Sequence, residues 1–241
     1  MSQLTRPALL VLVRHGESQR NVAKKDNRFF LDDEARKSVR GVPDHRIPIT
    51  AEGRRQALAT GIAIREHFGS FDYVYHSGYT RTVETTDAIL EAYSAGERER
   101  IQIRHHLFVR ERDAGYAYDM TDVEASAAFP WLQDYWNTSG AFFARPPGGE
   151  SLAQVCERVY AFLQKVTRDL SGRRVLVVTH AGTIWCFRYV LERWTYEEAE
   201  RRFKTEVNPN CSVTSYRYDD VSKRLRLEEA ARVYWERVAR T

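Results

Sequence analysis

Cysteine is scarce in this chain of 241 residues: Cys156, Cys186 and Cys211 lie far apart, and none belongs to a C-x-x-C pair. That excludes a disulfide framework and points to a reducing cytoplasm. Long hydrophobic runs are missing as well. The run from Ala8 to Val13 falls far short of the roughly 20 apolar residues of a membrane helix, and charge follows it at once, so neither a membrane span nor a targeting segment is expected. Lysine is the third scarcity, with six against 31 arginines and a formal net charge of +4. The basic residues are dispersed among acids, which argues against a nucleic-acid partner. A guanidinium grips phosphate or carboxylate through two parallel hydrogen bonds, so the arginine bias is compatible with anionic ligands; genome composition explains it equally well.

What is present describes an ordinary globular chain, with 43% hydrophobic and 12% aromatic residues, enough for one domain spanning 1–241 to bury a sizeable core. Strand patterns at Ala8 to Val13, Tyr73 to His76, Ile101 to Arg104 and Val175 to Thr179 alternate with helical ones at Thr50 to Phe68, Gly78 to Tyr93, Ser151 to Leu170 and Ile184 to Trp194. Thr50 caps the first of these helices, whose apolar positions are Ala57, Ile62 and Ile64, and Ser151 with Gln154 has capping-box spacing. The alternation predicts an α/β fold, a three-layer α/β/α sandwich around a mostly parallel sheet.

Ser212 to Tyr218 and Arg224 to Leu227 alternate polar with apolar residues, as a solvent-facing hairpin turning at Asp219 and Asp220 would. Gly140 to Gly149 reads as a turn-rich loop. Two segments exceed ordinary loop length, Gln19 to Pro48 and Glu111 to Gly149, and excursions of that size build lids or specificity surfaces, here at about residues 22–48 and 112–149. The second contains Tyr118, Phe129, Trp131, Tyr135, Trp136 and Phe142, which suit either a wall against an organic leaving group or simple lid packing.

The stretch LLVLV runs straight into Arg14 and His15, followed by Gly16. Ligands of open α/β sheets sit beyond the carboxyl ends of the strands, which is where this pair falls. The guanidinium charge disfavours imidazolium and leaves a ring lone pair available near neutral pH. RRVLVVTHAG, Arg173 to Gly182, repeats the pattern with His180. If the two strands are neighbours, both histidines reach one rim.

Read in order, LVRHGES with Asn21 beyond it, PDHRIPITAEGRRQA, HSGYTRTVETT, FVRERDAG, PPGGES and VTHAG resemble the motifs of the histidine phosphatase superfamily, the phosphoglycerate-mutase-like fold. The resemblance implies that His15 attacks phosphorus and becomes phosphorylated. It places Arg14, Arg81 and His180 around the transferring group, with Asn21 and Ala181 adding hydrogen bonds, and makes Glu111 the acid and base. Fixed cationic donors suit the equatorial oxygens of in-line phosphoryl transfer, so no metal or other cofactor is expected. The plain alternative for Glu111 is a salt bridge to Arg110 or Arg112.

Gly78 and Tyr79 stand where the family has proline and leucine. Mutases of the superfamily read Glu-Arg-His-Tyr-Gly and His-Gly-Asn where this chain reads ERDAG and HAG. A mutase must hold and reorient a phosphorylated intermediate, which takes extra cations. The expected activity is therefore hydrolysis of a small phosphorylated metabolite through phosphohistidine. Arg112 and Arg145 keep phosphoglycerate-mutase-type transfer open, a non-catalytic phosphate-binding module is the third reading, and a homo-oligomer stays open.

Overall fold

A computed structural model describes residues 6–25 and 27–238. Its strands are β1 (Leu9–Arg14), β2 (Tyr73–His76), β3 (Gln102–His105), β4 (Arg174–Thr179), β5 (Val213–Asp219) and β6 (Arg224–Arg232). Its helices are α1 (Gln19–Lys24), α2 (Asp33–Arg36), α3 (Ala51–Phe68), α4 (Thr80–Leu90), α5 (Ala95–Arg100), α6 (Asp122–Ala128), α7 (Leu132–Phe143), α8 (Leu152–Asp169), α9 (Ala181–Glu192), α10 (Tyr196–Thr205) and α11 (Trp235–Val238). The strands form one sheet in the order β3-β2-β4-β1-β5-β6, parallel from β3 through β1, with β5 and β6 added antiparallel.

The unbroken apolar run of β1 follows from burial on both faces. Leu9, Val11 and Val13 pack with Ala57 and Ile64 of α3 and Ile89 of α4, whereas Leu10 and Leu12 pack with Val159 and Phe162 of α8 and Ile184 of α9. The result is the α/β/α sandwich. No helix among the described residues is long and apolar enough to cross a membrane.

Three local expectations are corrected. Ile62 is exposed, because the buried stripe of α3 runs through Gln56, Ala57, Thr60 and Ile64. The first arm of the hairpin is not solvent-facing: β5 lies between β1 and β6 and is buried from Val213 to Tyr216, so pairing with a central strand overrides its alternation. Gly140 does not open the loop. It bends α7 at a φ of 72°, and the helix resumes to Phe143.

Register sets the rim of the sheet. Arg14 pairs with Thr179, and the His15 amide donates to the Thr179 carbonyl at 2.9 Å, so the residues after β1 and β4 lie side by side. His76 pairs with Val178, which brings Ser77 to the other flank of His180. Behind His15 the chain crosses the start of α3 so closely that a methyl on Gly16 would meet the Gly53 carbonyl oxygen at 2.4 Å. Glycine is required there, and Gln56 seals the crossing by accepting the Glu17 amide at 3.1 Å.

The two long excursions meet each other. The Phe30 amide donates to the Met120 carbonyl at 3.2 Å and the Asp122 amide to the Phe30 carbonyl at 2.9 Å. Buried Arg36 donates to both carboxylate oxygens of Glu124 at 2.6 and 2.8 Å and to the Asp119 carbonyl at 2.6 Å. Phe30, Val39 and Ile47 make a small apolar cluster of their own beneath this junction.

Candidate active site

His15 and His180 stand with ring centroids 5.2 Å apart, nearly edge to face. Nδ1 of His15 lies 2.8 Å from the Gly16 carbonyl. A carbonyl accepts but cannot donate, so the proton is on Nδ1 and the Nε2 lone pair is free. Burial, reinforced by the charges of Arg81 and Arg14, holds the His15 pKa well below its usual value. His180 is depressed in the same direction, again mainly by burial and then by Arg81 and His15. Its Nε2 is 2.9 Å from the Ser77 hydroxyl, which in turn lies 2.9 Å from the Thr82 hydroxyl.

The guanidiniums arrive from two directions. Arg14 ends β1 and donates to the Asn208 carbonyl at 2.6 Å. Arg81, in the first turn of α4, is buried and gripped by Asp44: Nη1 to Oδ1 at 3.0 Å, Nη2 to Oδ2 at 3.2 Å, and Nη1 to the Asp44 carbonyl at 2.7 Å. Tyr79, which stands where a leucine is usual, has its ring centroid 5.1 Å from His180 and 4.9 Å from the Arg81 guanidinium carbon. Burial raises its phenol to about 12, so it stays neutral.

Glu111 follows a 3₁₀ turn, Leu107–Val109, stapled to the sheet and helices behind it. Thr179 Oγ1 donates to the Val109 carbonyl at 2.6 Å, Thr183 Oγ1 to the Arg110 carbonyl at 2.7 Å, and Arg158 to the Glu111 carbonyl at 3.1 Å. The Glu111 carboxylate lies against the first turn of α9, 3.0 Å from where a methyl on Gly182 would stand. Arg110 pairs instead with Glu150 at 2.6 Å, and Glu111 makes no ion pair among the described residues. Its Oε1 accepts the Arg112 amide at 2.8 Å, while burial raises its pKa above the ordinary carboxylate value.

Asn21 is differently placed from a simple phosphate donor. Its Oδ1 accepts from the Ser18 amide at 3.1 Å, the Ser18 hydroxyl at 2.8 Å and Asn210 Nδ2 at 3.3 Å, capping α1 and leaving Nδ2 to donate. Ala181 is the first residue of α9, where an amide has no carbonyl partner within the helix and the helix dipole favours an anion.

A cleft of about 900 Å³ runs outward from Arg14, Glu111 and Gly182. Of the aromatic residues in the second excursion, Tyr118 and Trp136 line it. Trp131 is exposed and packs on Phe129 and Tyr135, and Phe142 is buried in the core, so neither lines the cleft. Arg112 lines the cleft, whereas Arg145 is exposed outside it, its Nε on the Gly149 carbonyl. Sequence reasoning missed Asn208, Arg158 and the wall contributed by α10, none of which carries a local signature, and the role of Asp44, which lies within the quoted motif PDHRIPITAEGRRQA.

Comparison with known proteins bears on the family and the fold. Residues 10–230 match the sequence profile of the histidine phosphatase superfamily (branch 1). A 2,3-bisphosphoglycerate-dependent phosphoglycerate mutase of Rhizobium etli is 32% identical over 214 residues, covering 86% of this chain and 90% of that one. Phosphoglycerate mutase-like protein AT74H of Arabidopsis thaliana is 29% identical over 215 residues, covering 81% and 69%. Among solved structures, Bacillus stearothermophilus YhfR superposes with a TM-score of 0.73 at 20% identity, covering 94% of this chain and 98% of that one. A mycobacterial glucosyl-3-phosphoglycerate phosphatase superposes with a TM-score of 0.66 at 23% identity, covering 92% and 98%. These two likenesses speak for the fold, while the profile match runs from β1 into β6 and takes in both strand-end histidines: the chain belongs to the histidine phosphatase superfamily.

Proposed function

We propose that the protein is a phosphomonoester hydrolase that works through a phosphohistidine and needs no metal. Nε2 of His15 attacks phosphorus, the bond from phosphorus to the leaving oxygen breaks, and that oxygen takes the proton of Glu111. Water then attacks the phosphohistidine, gives a proton to the Glu111 carboxylate, and the P–N bond breaks to release phosphate. Arg14, Arg81, His180 and the amide of Ala181 stabilise the equatorial oxygens, with Asn21 Nδ2 as a further donor. The two excursions form the cover and specificity wall.

The observation that carries this reading is the lone pair of His15, free on Nε2 because Nδ1 is committed to the Gly16 carbonyl, beside a second buried histidine. Hydrolysis is favoured over transfer because the cleft opens to solvent between the exposed Arg28, Gln133, Asn137 and Lys204, and because Arg145 stands outside it. A mutase reading is favoured by the Rhizobium etli relative and by Arg112.

The test is to mix the protein with p-nitrophenyl phosphate and quench within the first turnover. Wild type is expected to release phosphate and carry one acid-labile, alkali-stable phosphoryl group, both lost in His15→Ala. Absence of turnover by wild type across a panel of phosphate esters, or equal turnover by His15→Ala, would overturn the reading.

A further inference from the structure

We propose that Tyr79 is a further catalytic residue of this site, its hydroxyl holding, together with Glu111, the water that attacks the phosphohistidine. This rests on the hydrolase reading above and gives the second half-reaction a residue of its own.

Gly78 and Tyr79 stand where the superfamily has proline and leucine, and the two departures belong together. Gly78 sits at a φ of 85°, and its amide donates to His76 Nδ1 at 3.1 Å. Proline allows neither, because its ring locks φ at roughly −65° and it has no N–H. The loop is held on this path from both sides. The Tyr79 amide donates to the Ser77 hydroxyl at 3.3 Å, and Thr82 Oγ1 donates to the Tyr79 carbonyl at 2.8 Å. The ring is thereby set with its centroid 5.1 Å from that of His180 and 4.9 Å from the Arg81 guanidinium carbon.

Packing accounts for a ring at this place, but a leucine packs as well and brings no polar atom. The Tyr79 hydroxyl makes no hydrogen bond with any described residue, although the side chain is half-buried. Shielded phenols ordinarily find a partner, so an open one beside two phosphoryl-holding groups points to a partner that arrives with the reaction. Burial raises the phenol to about 12, and the charges of Asp44, Arg81, Arg110 and Glu111 act on it as well. The hydroxyl is therefore neutral, with the Arg81–Asp44 pair and the reacting acid both in electrostatic reach.

The second half-reaction needs an acceptor there. Of the two protons on the attacking water, one goes to the Glu111 carboxylate. The other stays on the oxygen that joins phosphorus, and an acceptor for it fixes the water with a lone pair aimed at phosphorus. As the P–O bond forms, the P–N bond breaks and its electron pair returns to Nε2 of His15. Arg14, Arg81, His180 and the Ala181 amide are donors and cannot take that proton, and the Asp44 carboxylate is engaged by Arg81 through both oxygens. Tyr79 Oη is the open acceptor. An alcohol attacking in place of water has a single hydroxyl proton, which Glu111 takes, so transfer to an alcohol makes no use of the phenol.

That difference supplies the experiment. p-Nitrophenyl phosphate is turned over in water containing methanol, and phosphate and methyl phosphate are counted by phosphorus NMR. Their ratio reports how water and alcohol compete for the phosphohistidine, whichever step limits turnover. Tyr79→Phe keeps the ring and should raise the share of methyl phosphate over phosphate by about tenfold, as loss of one hydrogen bond to water allows. Tyr79→Leu should shift the ratio in the same direction. An equal ratio in wild type and Tyr79→Phe, zero included, overturns the proposal, and a shift confined to Tyr79→Leu overturns it in favour of packing. Wild type that releases no nitrophenol retires the hydrolase reading and this assignment with it, whereas wild-type turnover with an unmoved ratio in Tyr79→Phe retires this assignment alone.

Discussion

The carboxylate of Asp44 holds Arg81 by two of the nitrogens that a phosphoryl group would use, with the arginine buried and the carboxylate partly open to solvent. An incoming phosphate must share or displace that carboxylate. Asp44→Asn removes the competing charge and keeps the grip of the backbone carbonyl at 2.7 Å. Inorganic phosphate should then bind about tenfold tighter, about 1.4 kcal/mol, measured by calorimetry. Weaker binding would show that Asp44 serves to aim Arg81.

Activity should peak on the acid side of neutrality. His15 must be neutral to attack, and its pKa is held below 6.5, so the acid limb lies low. In the proposed mechanism Glu111 must be protonated to serve the leaving oxygen, and burial raises its pKa above the ordinary carboxylate value, so activity falls as pH rises through that raised pKa. Glu111→Gln should lose about 10²–10⁴-fold on alkyl phosphates and much less on p-nitrophenyl phosphate, whose leaving group needs no proton. A pH-rate profile of both substrates checks this.

The same two histidines tie stability to pH. Their folded pKa values lie below the unfolded 6.5, so between those limits the unfolded chain binds more protons and stability falls as pH is lowered. The slope is up to about 1.4 kcal/mol per pH unit for each histidine. Melting temperatures of wild type from pH 7 to 5 should drop more steeply than those of His180→Asn.

Arg158 underpins the acid. It donates to the carbonyls of Phe108, Arg110 and Glu111 and to both oxygens of Glu150. Arg158→Met takes the side-chain donor from the Phe108 and Glu111 carbonyls and leaves Glu150 with Arg110 alone as its cation, and should cost about 1–3 kcal/mol in urea unfolding. An unchanged midpoint would deny it that role.

Arg36 joins the two excursions. Arg36→Met should expose both to limited proteolysis while the sheet stays protected, with cleavage mapped by mass spectrometry between residues 22 and 48 and between 112 and 149. Cleavage elsewhere, or none, would place the junction's strength in the Phe30 bridge to Thr121.

How much could be read from the chain follows from range. The strands ending in His15 and His180 were legible because an apolar run that stops at a ring is a local pattern, and the parallel register then had to put them on one rim. The glycine and glutamine of GRRQA were legible as a motif, but their reason, the backbone crossing at Gly16, needed coordinates. Asp44 reaches Arg81 across 37 positions and Arg158 reaches Phe108 across 50, distances over which no periodicity carries information. Among the aromatics of the second excursion, Trp136 and Trp131 are indistinguishable by type and spacing. The turn of α7 alone sends one to the cleft and the other to solvent.

The bidentate bond between Arg36 and Glu124 has a consequence for engineering new selectivity. Segments 22–48 and 112–149 behave as a matched set, so transplanting one of them from a relative strands half of a salt link and opens the Phe30 seam. Recipients should be designed with both pieces exchanged together, leaving the rim of the sheet untouched.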